Sequence, residues 1–153
     1  MKKIIFILSF ISFLAFIPQA GKAQCKSFAK SAKTELLPYV HDGIYNATVL
    51  SEGESVELFK TFYSGQEYRI VVAGSEDLPK VEFQILDGDR NVLFDNKNAD
   101  YTKTFDFKLQ SSQMLVVSIQ VGTSEEVSDE IKSGCVAVLV GFMNIENSFD
   151  QTK

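Results

Sequence analysis

Two cysteines, one histidine and one oxygen-rich turn are the groups in this chain whose types and spacing could do chemistry. Cys25 and Cys135 are too far apart for a Cys-x-x-Cys pair, and with His41 alone beside them they cannot complete a zinc site by the usual spacings. What two such cysteines can form is a disulfide. His41, followed by Asp42-Gly43, is the single candidate for a general base. Serines are plentiful, yet none stands in Gly-x-Ser-x-Gly or another recognisable nucleophile setting. His41 therefore reads as a turn histidine. The 20 acidic residues always permit a carboxylate pair of the kind glycoside hydrolysis uses, but no spacing singles one out. A small hydrolase would have to assemble its site around His41 and carboxylates in three dimensions.

Asp87-Gly88-Asp89-Arg90-Asn91 alternates oxygen side chains as a calcium loop does. An EF-hand loop would continue with glycine where Val92 stands and with a bidentate glutamate where Asn98 stands. Asp-Gly between two apolar alternations is also a strong hairpin signal. The stretch is expected to be a plain turn, with Asp87, Asp89 and Asn91 the ligands if a cation binds at all, and no cofactor is expected. For a binding surface the candidates are aromatic: Phe59 and Tyr63 share one face of a strand, and Tyr101 lies in a polar loop. Tryptophan, the usual sugar-stacking platform, is absent.

The elements that position these groups follow from periodicity. From Cys25 to Leu37 the period is helical, with Cys25, Phe28, Ala29, Ala32 and Leu36 on one stripe and Lys26, Ser27, Lys30, Lys33 and Thr34 facing away. Pro38 ends the helix. After Tyr39 the period becomes 2. Strands are expected at Tyr45–Leu50, Ser55–Tyr63, Gln66–Ala73, Lys80–Leu86, Asn91–Phe94, Lys103–Leu109, Met114–Val121 and Cys135–Phe142. Lys60 falls on the inward register of its strand, which suggests a bulge there. The last strand, Cys-Val-Ala-Val-Leu-Val-Gly-Phe, is apolar on both faces, as a central strand covered on two sides must be. The helix is its natural cover. About eight short strands with turn signals between them predict an all-β, antiparallel, jelly-roll-like β-sandwich with one short N-terminal helix packed on it. Residues 124–133 read as a long solvated loop or a single helical turn, and 144–153 as a polar tail.

Gly65-Gln66-Glu67-Tyr68-Arg69-Ile70-Val71-Val72, followed by Val81-Glu82-Phe83-Gln84-Ile85-Leu86-Asp87-Gly88-Asp89-Arg90-Asn91-Val92-Leu93-Phe94, resembles the bacterial pre-peptidase C-terminal type of β-sandwich. Those modules pair a Gly-x-x-Tyr-x-Ile-x-Val strand with a strand–turn–strand carrying an Asp/Gly turn. The resemblance spans Tyr45 to Phe142 and implies a non-catalytic accessory or binding module. The helix bearing Cys25 departs from that pattern. In outline the chain is also similar to small secreted proteins of Gram-negative bacteria.

The first residues determine where such a module would work. Met1-Lys2-Lys3 is a basic segment, Ile4–Ile17 an apolar run broken only by serines, and Gly21 and Ala23 offer the small residues a signal peptidase requires. Residues 1–23 thus read as a signal peptide, 24–143 as a single domain with helix 25–37, and the destination as periplasmic or extracellular. The apolar run is shorter than the roughly 20 residues that span a bilayer, and no later segment reaches that length. Lipidation at Cys25 is the competing reading, although Gln24 and Lys22 depart from the lipoprotein pattern. Cleavage after Ala23 removes three lysines and no acid, taking the formal charge from −5 to −8. Without basic clusters, that surface argues against nucleic acid and anionic membranes as partners and leaves an envelope protein or a glycan. In an exported compartment the default for Cys25 and Cys135 is to pair. Mass spectrometry of the exported protein is expected to show Gln24 as the first residue; a lipidated Cys25 in that position would reject the reading.

Overall fold

A computed structural model describes residues 20–124 and 131–144. The basic and apolar segments of the signal reading, most of the 124–133 loop and nearly all of the C-terminal tail lie outside the described residues. Within them the chain runs α1 (Ala20–Ala32), a 3-10 turn (Lys33–Leu36), β1 (Val40–His41), β2 (Asn46–Ser51), β3 (Ser55–Phe62), β4 (Gln66–Gly74), β5 (Val81–Leu86), β6 (Val92–Asp95), a second 3-10 turn (Asn96–Ala99), β7 (Thr104–Lys108), β8 (Gln113–Val121) and β9 (Ser133–Asn144). All strand pairs are antiparallel. Sheet A takes the order β1–β9–β4–β7, with β2 also paired to β9, and sheet B the order β3–β8–β5–β6. The result is a β-sandwich with a helix packed on one sheet.

Two expectations need correction. The helix is not Cys25–Leu37: it begins at Ala20 and gives way to a 3-10 turn at Lys33, so the Ala23–Gln24 bond lies in its first turn. Tightening the last turn brings Leu36 into the core while Leu37 and Pro38 swing out to solvent. His41 is not in a turn. It belongs to β1, which extends sheet A because β9 continues past its last contact with β2 and offers Gly141 and Phe142 as partners. That ninth short strand is the one periodicity could not show, since two residues carry no alternation.

The doubly apolar reading of β9 holds. Val136, Val138 and Val140 enter the core between the sheets, among Ile70, Phe83, Ile85, Val117 and Ile119. Ala137 and Leu139 face the other way, under Ala29, Ala32 and Leu36, with Val71 and Ala73 of β4 beside them. Alanines on both sides let the helix approach the sheet closely. At Gly141 the approach tolerates no side chain: a Cβ would meet the Tyr39 Cβ at 2.7 Å and the Leu36 Cδ2 at 3.1 Å.

Covalent and polar contacts fix this cover. Cys25, fully buried, is bonded to Cys135 with a Cα–Cα distance of 5.1 Å, so neither sulfur is a thiol. At the end of the helical segment, Arg69 of β4 donates to the Leu37 carbonyl at 2.7 Å and the Glu35 carbonyl at 3.3 Å while forking onto Asp106 at 2.7 and 2.6 Å. Its guanidinium lies 4.7 Å from the centre of the Tyr39 ring. Tyr39 donates its hydroxyl to Glu67 at 3.0 Å, and Glu67 also pairs with Lys108. The hydrogen bonds from Lys108 and Tyr39 hold the Glu67 carboxyl below its usual range. Burial, the bond to Glu67 and the nearby carboxylates together push the Tyr39 phenol from 10.0 to about 12.

The two seams between the sheets differ. Between β6 and β7, Phe94 stacks on Phe105 with centroids 4.4 Å apart, and Phe105 continues onto Phe107 at 5.3 Å and Tyr68 beyond it. Between β2 and β3, the core-facing positions of β2 are Asn46, Thr48 and Leu50. Leu50 alone joins the core, and the seam stays partly open.

Denatured, unreduced protein is expected to titrate close to zero free thiols. Closing a loop of 110 residues is worth about 4–5 kcal/mol in the chain-entropy model, so replacing both cysteines with serine should lower stability to urea by about 2–5 kcal/mol, and a loss below about 1 kcal/mol would contradict that role. The folded state holds the Tyr39 proton more tightly than the unfolded chain, so this stabilisation is full below pH 10 and is lost as pH rises toward 12. Wild type should exceed Tyr39→Phe by about 1 kcal/mol near neutrality, and the excess should vanish across that window. An excess independent of pH would exclude the phenol as its source.

Candidate functional site

Helix α1 covers the outer face of sheet A; no described element covers that of sheet B. Strand alternation should make this uncovered face polar, and half of it is. At the end where β5 begins, Glu82 pairs with Lys97 at 2.6 Å and Gln84 donates to Asp95 at 2.8 Å, and with Ser118 and Gln120 they line a hollow of about 120 Å³. The other half is apolar. Phe59 lies opposite Val116, Val116 opposite Leu86 and Leu86 opposite Val92, which makes one transverse row across all four strands. Its ends, Phe59 and Val92, are each 54% exposed, and its middle members, Val116 and Leu86, only 2% and 7%. Met114, 45% exposed, adds to the row from the next outward position of β8. Tyr63 continues the outward alternation of β3 and is exposed as well.

Arg90 helps to shield the middle of the row. The hairpin loop Gly88–Arg90 is closed by Asp87 N–H donating to the Asn91 carbonyl at 3.0 Å, with Arg90 at φ 69°. This is the three-residue hairpin geometry that ends in a left-handed residue, in register with the Leu86–Val92 pair; the β5–β6 register shifts by one only beyond that pair, between Leu86 and Ile85. From there the guanidinium reaches across β8 to fork onto Glu57 of β3 at 2.5 and 3.0 Å. The Glu57 carboxylate raises the Arg90 pKa above its ordinary value.

A second feature lies in the open seam. A cleft of about 350 Å³ has Tyr45–Thr48 on one wall, Val56–Leu58 on the other, and Ile119, Val136 and Val138 at its floor. It exists because Asn46 and Thr48 are too short and too polar to fill the space a larger apolar pair would close. The tight Ser51–Glu54 turn, held by the Glu54 carboxylate accepting from Ser51 N–H at 2.7 Å, joins its walls at one end. At the other end Lys60 of β3 meets Asp42, just after β1, at 2.8 Å.

That ion pair accounts for Lys60 without a bulge. The β3–β8 register is continuous from Ser55 to Phe62, and Lys60 keeps its inward position because it sits at an open seam where its ammonium finds a carboxylate. The expected bulge is absent. His41 is almost fully buried, with Nε2 3.1 Å from the Ile44 carbonyl and 3.6 Å from Asp42 and its ring 4.5 Å from that of Tyr45. It lines neither the hollow nor the cleft. The Asp87 carboxylate accepts from the backbone of Asp89 and Asn91 at 2.9 and 2.8 Å and from the Asn91 side chain at 2.9 Å. These bonds, that from the Asn91 side chain foremost, hold its pKa below the ordinary value. Among the described residues no group of three or more His, Cys, Asp or Glu could hold a metal.

The three aromatic candidates do not form one surface. Phe59 and Tyr63 share the outer face of sheet B near the start of β8. Tyr101 lies beyond the end of β8, beside Gly122 and Pro79, about 30 Å from the Tyr63 end at ordinary strand rise. Its ring carries the Lys80 ammonium at 4.3 Å. Buried Asn96 shapes that loop by accepting from Phe83 N–H at 2.8 Å and donating to the Val81 and Thr102 carbonyls. Sequence reasoning missed Met114, Val116, Leu86, Val92 and Arg90 as parts of the face. The signal was the run Met114-Leu115-Val116-Val117, apolar on both registers where a solvated outer face would alternate.

No family model matches the chain, and no curated protein matches it. Among solved structures it is similar to the crystal structure of Aeromonas hydrophila PliG, a periplasmic lysozyme inhibitor of g-type lysozyme, at 9% identity over 69% of this chain and 89% of that one, with a TM-score of 0.49. The β-sandwich of the sequence reading is what the structure shows, and no family assignment accompanies it. Among the described residues no helix is long and apolar enough to cross a membrane.

Proposed function

We propose that this chain is a non-catalytic module of the cell envelope or the extracellular space that binds a protein partner through the outer face of sheet B. The observation that carries this reading is the row Phe59–Val116–Leu86–Val92, extended by Met114 and crossed by Arg90, on the sheet face no described element covers. Contiguous apolar surface rimmed by polar groups is the mark of an interaction site. Phenylalanine, methionine, tyrosine and arginine are the residues enriched at protein interfaces, with a desolvated centre and a polar rim. The export pattern at the N-terminus and the Cys25–Cys135 bridge support a compartment where disulfides persist. The enzyme alternative gains nothing from His41, whose Nε2 faces a carbonyl in a buried position.

The test is affinity capture from envelope extract with the Gln24–Lys153 domain and with Val92→Glu/Met114→Asp. Both positions are exposed, so the double variant is expected to melt within a few degrees of wild type. A protein retained by wild type and reduced at least tenfold with the variant supports the reading. Equal retention overturns it, and a glycan-array signal lost with the same variant would assign the face to a sugar instead.

A further inference from the structure

The β2–β3 cleft combines three properties that the outer face lacks. Its floor is the sandwich core, with Val136, Val138 and Ile119 beneath Val56 and Leu58. Its walls are strand edges: among the described residues β2 pairs only with β9 and β3 only with β8, so one backbone edge of each faces the opening. In the opposite seam Phe94 and Phe105 stack and fill the space between β6 and β7. Finally, the segment from Asp42 to Lys60 carries four carboxylates, Asp42, Glu52, Glu54 and Glu57, against a single ammonium. Asp42 and Glu57 pair with Lys60 and Arg90, while at the closed end of the cleft Glu52 accepts from Ser124 and Glu54 from the Ser51 N–H; these four carboxylates still outnumber the two cations paired with them, and the domain as a whole is acidic.

Unpaired strand edges recognise main chain, apolar floors recognise every second side chain of an extended segment, and acidic rims recognise basic groups. We infer that the cleft takes an extended segment of a protein partner, apolar at alternate residues and basic between them, added as a strand to the free edge of β3. Its inward side chains rest on Val56, Leu58 and Val138. Its outward side chains continue the outer face of sheet B beside Phe59 and the Glu57–Arg90 pair, where a cation meets an exposed aromatic ring. The inference rests on the protein-binding reading above and gives that partner a chemistry.

The probes are an acetylated eight-residue peptide alternating valine with lysine, a twin alternating valine with glutamate, and decanol as a neutral alkyl chain, each titrated into isotope-labelled Gln24–Lys153 domain. The basic peptide is expected to shift the amide resonances of β2 and β3, to bind at least tenfold more tightly than the acidic twin, and to weaken as salt is raised. Two variants test the site. Leu58→Lys places a charge over the floor, and Thr48→Phe fills the cleft from an exposed position on the opposite wall. Thr48→Phe should retain the wild-type melting temperature, and both variants should weaken the basic peptide at least tenfold. Shifts confined to the outer face of sheet B, equal binding of the two peptides, full binding to Thr48→Phe, or decanol in the cleft without either peptide would each overturn the inference. Envelope-partner capture that survives Thr48→Phe but not Val92→Glu/Met114→Asp removes this inference and leaves the outer-face reading standing. The converse result does the opposite.

Discussion

Burial of β9 on both faces is the constraint on which the rest of the structure depends. A strand with valines toward one side and alanine and leucine toward the other is stable only between two apolar layers, and the four-stranded sheet packed against it supplies just one of them. Sheet B closes one side through the valines of β9. The other requires a cover from outside the sheets, and the only α-helix among the described residues provides it. Such a helix is marginal in water, so the chain ties it down at two points. The Cys25–Cys135 bridge holds its middle, while Arg69, Tyr39 and Asp106 hold the turn that follows it. Gly141 belongs to the same requirement, since any side chain there would lift Tyr39 and Leu36 off the strand.

Using the helix on sheet A leaves sheet B with one face to solvent, and this asymmetry separates the covered structural surface from the one proposed to bind a partner. The covered face is built of alanines and short aliphatics suited to close approach. The uncovered face carries Phe59, Met114, Val92 and a cross-strand Arg90–Glu57 fork. An outer face with no partner would be expected to read polar at every second residue; the half lined by Glu82, Gln84, Ser118 and Gln120 does so, and the other half does not.

The seams repeat that contrast. An aromatic stack closes β6 against β7, whereas Asn46 and Thr48 leave β2 and β3 apart, with an ion pair at one end and a tight turn at the other. Lys60 is an inward-pointing charge on an edge strand, a device that discourages indiscriminate edge pairing. Its position at one end of the cleft confines the open edge to the stretch around Val56–Leu58.

The sequence by itself determined the sandwich, the doubly buried last strand and the pairing of Cys25 with Cys135, because each rests on a local period, a count or a compartment that survives without coordinates. It also led to the plain-turn reading of Asp87-Gly88-Asp89, since the missing EF-hand positions, Val92 and Asn98, lie at fixed spacings from Asp87 in the chain. The tertiary structure decided what depends on neighbours distant in sequence. The row Phe59–Val116–Leu86–Val92 draws on four strands whose order no periodicity encodes, and separating Tyr101 from Phe59 and Tyr63 required the direction of β8. His41 moved from a turn to a strand because β9 had hydrogen-bonding groups to spare, and Lys60 kept its register because Asp42 lay across a seam. Side-chain alternation says which residues share a face of one strand; only sheet order and register say which strands that face adjoins.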